Sequence, residues 1–150
     1  MSLKQRIIDE VKQAMRAGDK SRLKILRMVT AAIKQREIDE RIELDDAQVL
    51  AVVEKMIKQR RESAEQYRAG DRPELAEVEE AEIVILQEYL PEPLSDEELS
   101  RVIDEAIAEA GASSMADMGK VMGLIKGRVQ GRADMGKVSG QVRGRLAGQD

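Results

Sequence analysis

Asp117-Met-Gly-Lys-Val-Met-Gly-Leu-Ile-Lys-Gly-Arg-Val-Gln-Gly131 recurs as Asp134-Met-Gly-Lys-Val-Ser-Gly-Gln-Val-Arg-Gly-Arg-Leu-Ala-Gly148. Turned at about 100° per residue, the first copy gathers Met118, Met122, Ile125 and Val129 within about 40°, and the second repeats the stripe with Met135, Val142 and Leu146. Neither copy alternates at period two. The stretch therefore predicts two amphipathic helices built to one plan, and with them an all-α fold. Glycine falls every fourth residue, at Gly119, Gly123, Gly127 and Gly131, then at Gly136, Gly140, Gly144 and Gly148. Each interior helical glycine costs roughly 0.8–1 kcal/mol relative to alanine, so close approach of bare backbone to a partner is implied. The ridge lies away from the apolar stripe and is fringed by Lys120, Lys126 and Arg128, with Lys137, Arg143 and Arg145 in the second copy. Two readings stand side by side: a neighbouring helix crossing closely, or a polyanion backbone laid along the ridge.

Upstream, every periodic segment is also helical. Ser2 with Gln5 opens a helix through Leu3, Ile7, Val11 and Met15 that stops at Gly18. A second begins near Asp19 and carries Leu23, Leu26, Val29 and Ile33 to about Glu37. Asp45 with Gln48 opens a third, through Val49, Val52, Met56 and Tyr67 to Gly70. Pro73 stands in the first turn of a fourth, followed by Leu75, Val78, Ile85, Leu86 and Tyr89. Pro91 and Pro93 then forbid helical geometry at Leu90 and Glu92. Ser95 and Glu98, flanked by Leu94 and Leu99, open a fifth helix through Val102, Ile103, Ala106 and Ile107 to Gly111. Ser113, Ser114 and Asp117 are candidate caps for the first repeat helix, and Asp134 for the second. The expected organisation is a four-helix, bundle-like domain over 1–90, a Pro hinge at 91–94 and a three-helix domain over 95–150.

Composition removes whole classes of chemistry. Of 150 residues none is Cys or His, and the only aromatics are two tyrosines, Tyr67 and Tyr89. Disulfides, thiolate zinc sites and a Cys nucleophile are excluded, and so is an aromatic platform for splayed bases. Acid–base work near neutrality would need a strongly shifted Lys, Asp or Glu. No apolar run reaches the roughly 20 residues of a membrane span, and Met1–Arg6 opens an amphipathic helix rather than a signal peptide, so no membrane partner is expected. A soluble, cytoplasmic protein is the expectation.

The net charge of -4 conceals a polarity. Residues 1–36 sum to +7, residues 37–112 to -15 and residues 113–150 to +4. Such polarity orients a charged partner, or sets basic and acidic helices side by side. Gly131-Arg-Ala-Asp-Met-Gly-Lys-Val138 nearly matches a phosphate loop. It fails at Val138, which has no hydroxyl for Mg²⁺, and no strand precedes it. Glu79-Glu80-Ala-Glu82 and Ser95-Asp-Glu-Glu98 read as solvated helix surface rather than a cation loop. Lys58-Gln-Arg60-Arg61 reads as a basic surface turn. No cofactor or metal and no catalytic residue is expected.

Arg22-Leu-Lys-Ile-Leu-Arg-Met28, Ile57-Lys-Gln-Arg-Arg61, Glu80-Ala-Glu-Ile83, Glu88-Tyr-Leu-Pro91, Ala112 through Gly123 and Gly131-Arg-Ala-Asp134 resemble the YqeY family, in its order and over essentially the whole chain. That family is similar to the C-terminal tail of the B subunit of tRNA-dependent amidotransferases. The resemblance implies a helical bundle followed by a three-helix domain, and an RNA-recognition or partner-binding module. It does not imply a complete enzyme, because the amidase and cradle parts have no counterpart here. By motif match the family's glycine and basic positions fall on Gly119, Lys120, Gly123, Gly131 and Arg132, whereas Gly127, Gly140, Gly144 and Gly148 depart from it. The expected interface is Gly119, Lys120, Gly123, Lys126, Arg128, Gly131, Arg132, Lys137, Arg143 and Arg145, with tRNA as partner. The alternative is an adaptor docking on an amidotransferase or synthetase without touching RNA. Oligomeric state is left open.

Overall fold

A computed structural model describes residues 1–148, so the last two residues of the expected 95–150 domain lie outside the described residues. The fold is all-α. Among the described residues there are seven α-helices: α1 Leu3–Ala17, α2 Lys20–Glu40, α3 Asp46–Ala69, α4 Pro73–Gln87, α5 Asp96–Ala110, α6 Met118–Val129 and α7 Met135–Ala147, with a 3-10 turn at Met115–Asp117. They divide into two compact units, Met1–Leu90 and Pro91–Asp150, each with its own core.

In the first unit local chemistry sets most helix ends. The Ser2 hydroxyl accepts from Gln5 N at 3.1 Å, Asp19 caps Arg22 N, and Asp45 with Gln48 forms a reciprocal capping box. Gly18 closes α1 in the left-handed region at φ 70, where a side chain would be strained. α2 runs three residues past its expected end near Glu37 and closes on Arg41, a non-glycine at φ 56. Ile7, Ile25, Leu26, Val29, Val49, Val53 and Leu86 form the centre of the core. Met15 and Val78, expected on apolar stripes, are instead 52% and 53% exposed. α4 buries Ala76, Ile83 and Leu86, a stripe that turns Val78 outward.

Two ionic features tie these helices together. Arg60 is 8% exposed rather than part of a surface turn, and its Nε donates to Glu82 Oε2 of α4 at 2.8 Å. Glu80, from the same acidic run, pairs with Arg68 at 2.7 Å. Tyr89, just past α4, is buried, and its hydroxyl donates to Glu10 at 3.2 Å and accepts from Arg22 Nη2 at 2.8 Å. Arg22 Nη1 also holds Glu88 at 2.6 Å, so α1, α2 and the end of α4 meet in one polar knot. Burial pushes the Tyr89 phenol up to about 12, with Arg22 opposing the rise and Glu10 adding to it. A phenol raised in the folded state favours folding below its free value near 10, and that contribution is lost as pH climbs toward 12. Urea midpoints taken across this alkaline window are expected to fall less steeply in Tyr89→Phe than in the wild type.

In the second unit the Ser95 hydroxyl accepts from Glu98 N at 3.1 Å and Gly111 closes α5 at φ 62. The core is aliphatic throughout: Leu99, Ile103, Ala106, Ala110, Val121, Ile125, Val129, Val138, Val142 and Leu146. The segment before α5 is pinned within this unit, since Leu94 N donates to Arg132 O at 2.8 Å.

Candidate nucleic-acid interface

α6 and α7 bury equivalent stripes, Val121-Ile125-Val129 and Val138-Val142-Leu146. The expected stripes are thus rotated by about 20–30°, because Val121 and Val138 pack inward while Met118, Met122 and Met135 are only half-buried. The compact β-branched valines fill the centre, and the longer methionines cover its edge.

That register decides where the glycines point. Gly119, Gly123 and Gly127 of α6 and Gly136, Gly140 and Gly144 of α7 are exposed, opposite the buried stripes. Apart from their own helix, no heavy atom lies within 4 Å of where a Cβ would stand at Gly119, Gly123, Gly127, Gly140 or Gly144. Within this unit no neighbouring helix crosses this ridge among the described residues, so packing inside the unit does not account for it. Gly131 is the exception. It is buried at φ 76 in the turn joining α6 to α7, and its place there is structural rather than at an exposed surface.

The cations separate into two groups. Arg128 pairs with Glu109 at 2.6 Å, and its equivalent in the repeat, Arg145, pairs with Asp104 and donates to Ser100 O at 3.0 Å and Ser100 Oγ at 2.6 Å. Arg132 donates from Nε to Glu92 O at 3.0 Å and lies 3.9 Å from Glu98. Lys137 meets Asp96 at 3.0 Å. Asp96, Ser100 and Asp104 line one flank of α5, and Glu98 and Glu109 the other. The acidic helix therefore draws Arg128, Arg132, Lys137 and Arg145 into bonds within the unit, partners that no local sequence pattern marks. Lys120, Lys126 and Arg143 are exposed and make no ion pair among the described residues. On α6, Lys126 and Lys120 stand on either side of the glycines, and on α7 Arg143 and Lys137 do the same.

The aspartates at the helix starts also behave differently. Asp134 caps α7 by accepting from Gly136 N at 3.1 Å, whereas Asp117 turns back to accept from Ser113 N at 3.0 Å and leaves α6 without a side-chain cap. Residues 91–150 hold ten Asp/Glu against eight Lys/Arg. Net charge thus gives this unit no pull on a polyanion, and only the sorting of acids onto α5 and cations onto α6 and α7 can. Among the described residues no group of three acidic side chains is placed to hold a metal ion, and no helix is long and apolar enough to cross a membrane.

The family model described as Yqey-like protein matches residues 4–146. The chain is 30% identical over 128 residues to the protein named altered inheritance of mitochondria protein 41, mitochondrial, of Pyrenophora tritici-repentis, covering 82% of this chain and 71% of that one. Proteins of the same name from Lachancea thermotolerans and Vanderwaltozyma polyspora are 32% and 34% identical over 108 and 82 residues. Those matches cover 70% and 54% of this chain but only 58% and 44% of the relatives, about half their length. These names overturn the cytoplasmic expectation, since they point to the mitochondrion instead.

Proposed function

The chain belongs to the Yqey-like family, and from that membership we propose that it is an amidotransferase-tail-like module that binds tRNA through the outward faces of α6 and α7. The observation carrying this reading is the pair of bare glycine faces, open to solvent and flanked by Lys120, Lys126 and Arg143. Phosphates approach closest where no side chain intervenes, and the flanking cations supply the charge. With no aromatic on either face, recognition is of backbone and shape. Arg128, Arg132 and Arg145 serve mainly to hold α5. The setting follows the relatives' names, so a mitochondrial tRNA is the first RNA to test.

Affinity measured against salt tests this reading. Three free cations on duplex phosphate predict a slope of about -2.7, at about 0.9 per phosphate. Lys120→Ala/Lys126→Ala/Arg143→Ala is expected to flatten that slope and weaken low-salt binding at least about tenfold. Gly123→Ala/Gly140→Ala separates structure from function. It should stabilise the unit by roughly 1–2 kcal/mol, because both sites are open helix surface, while weakening tRNA binding by blocking the backbone. No binding by the wild type at low salt, or affinity unchanged in both variants, sinks the proposal and leaves the adaptor reading in its place.

A further inference from the structure

The unit Met1–Leu90 carries two faces of opposite character that RNA binding by α6 and α7 does not use. Between α1 and α2, Lys4, Ile8, Thr30, Ile33, Lys34 and Glu37 line an open groove of about 250 Å³. Lys4 and Glu37 pair at 2.8 Å and cancel each other, which leaves the groove's character to Lys34 and its apolar floor. Lys34 is exposed without an ion pair among the described residues, as is Arg27, two turns earlier on the same side of α2. Ile38, one turn beyond Lys34, is 61% exposed. The second face is the outward side of α4, a helix with five glutamates and no cation. Its buried stripe faces the core, so Val78, Ala81 and Val84 are exposed on the opposite side, Val84 at 61%, with Glu74 and Glu77 one turn before Val78 and Ala81 on that same face. Isolated surface valines need no explanation, but an apolar face interspersed with carboxylates matches a groove with an apolar floor and basic rim.

We propose that the α1–α2 groove receives the α4 face of a second copy of this chain. Val78 and Val84 pack toward Ile8 and Ile38, and Glu74 and Glu77 lie toward Arg27 and Lys34. The two patches differ, so the contact is heterologous and closes into a ring or runs head to tail. Its charge component weakens as salt rises.

Light scattering coupled to gel filtration, on the full chain at about 0.05 M and about 0.5 M salt, reads this directly. The expected result is at least a two-chain mass at low salt, declining toward the single-chain mass at high salt. Arg27→Glu/Lys34→Glu and Glu74→Lys/Glu77→Lys should each run as single chains with wild-type circular dichroism, and their equimolar mixture should recover the larger mass. A single-chain mass for the wild type at low salt overturns the proposal. Association that survives both variants, or that the mixture fails to restore, overturns it as well.

Discussion

Glu82→Ala is expected to destabilise the first unit by about 3–5 kcal/mol, the range for removing one partner from a buried ion pair. Arg60 would then keep only Met56 O at 3.3 Å and the Met28 sulfur at 3.5 Å. Neither neutralises a guanidinium that is almost wholly out of water. Lys24, 3.6 Å from Glu82 and largely exposed, would lose little. Joint replacement Arg60→Met/Glu82→Leu should recover most of the loss, since a packed apolar pair avoids the desolvation of two charges. Urea unfolding followed by circular dichroism checks both. A loss below about 1 kcal/mol for the single variant would mean the pair behaves as a surface bridge.

The second large effect is expected in the other unit. Ile125→Ala removes a fully buried side chain from a core of ten aliphatic residues, at a typical cost of about 2–5 kcal/mol. A unit of about 60 residues has little stability beyond that. α5, α6 and α7 should therefore melt, taking about a third of the helical ellipticity, while the first unit keeps its own transition. Gly123→Ala, two residues away on the same helix, should shift stability the opposite way. Wild-type ellipticity in Ile125→Ala, or a destabilised Gly123→Ala, would contradict the assigned inward and outward faces of α6.

Helix ends were readable because their causes are local. Ser2, Asp45 and Ser95 cap through bonds three residues long, Gly18 and Gly111 supply positive φ, and Pro73 opens α4 without a lost donor. The exceptions are Arg41 and Asp71, left-handed without a glycine, and Asp117, which accepts from Ser113 N instead of capping α6. The all-α class and the family were legible for the same reason, since periodicity and motif order lie within the chain itself. Compartment was not, because such addresses are read by receptors and leave no trace in core-forming residues.

Periodicity places residues on a helix but leaves its rotation about its own axis undetermined by several tens of degrees. Packing of Val121 and Val138 settled that rotation and centred both glycine ridges opposite the core, where the repeat had set them away from its apolar stripe without deciding whether a neighbouring helix crosses them. Likewise Arg60 sits beside Lys58 and Arg61 in a segment that reads as basic surface, and only α4, bringing Glu82 against it, made it core. The repeat cations looked alike until α5 supplied carboxylates to four of them and left Lys120, Lys126 and Arg143 unpaired. The amino-acid sequence by itself determined which residues form helices and where those helices stop, through bonds spanning one turn. The exact side of each helix that meets a partner was decided by tertiary structure, because burial and charge pairing join residues separated by twelve or more positions.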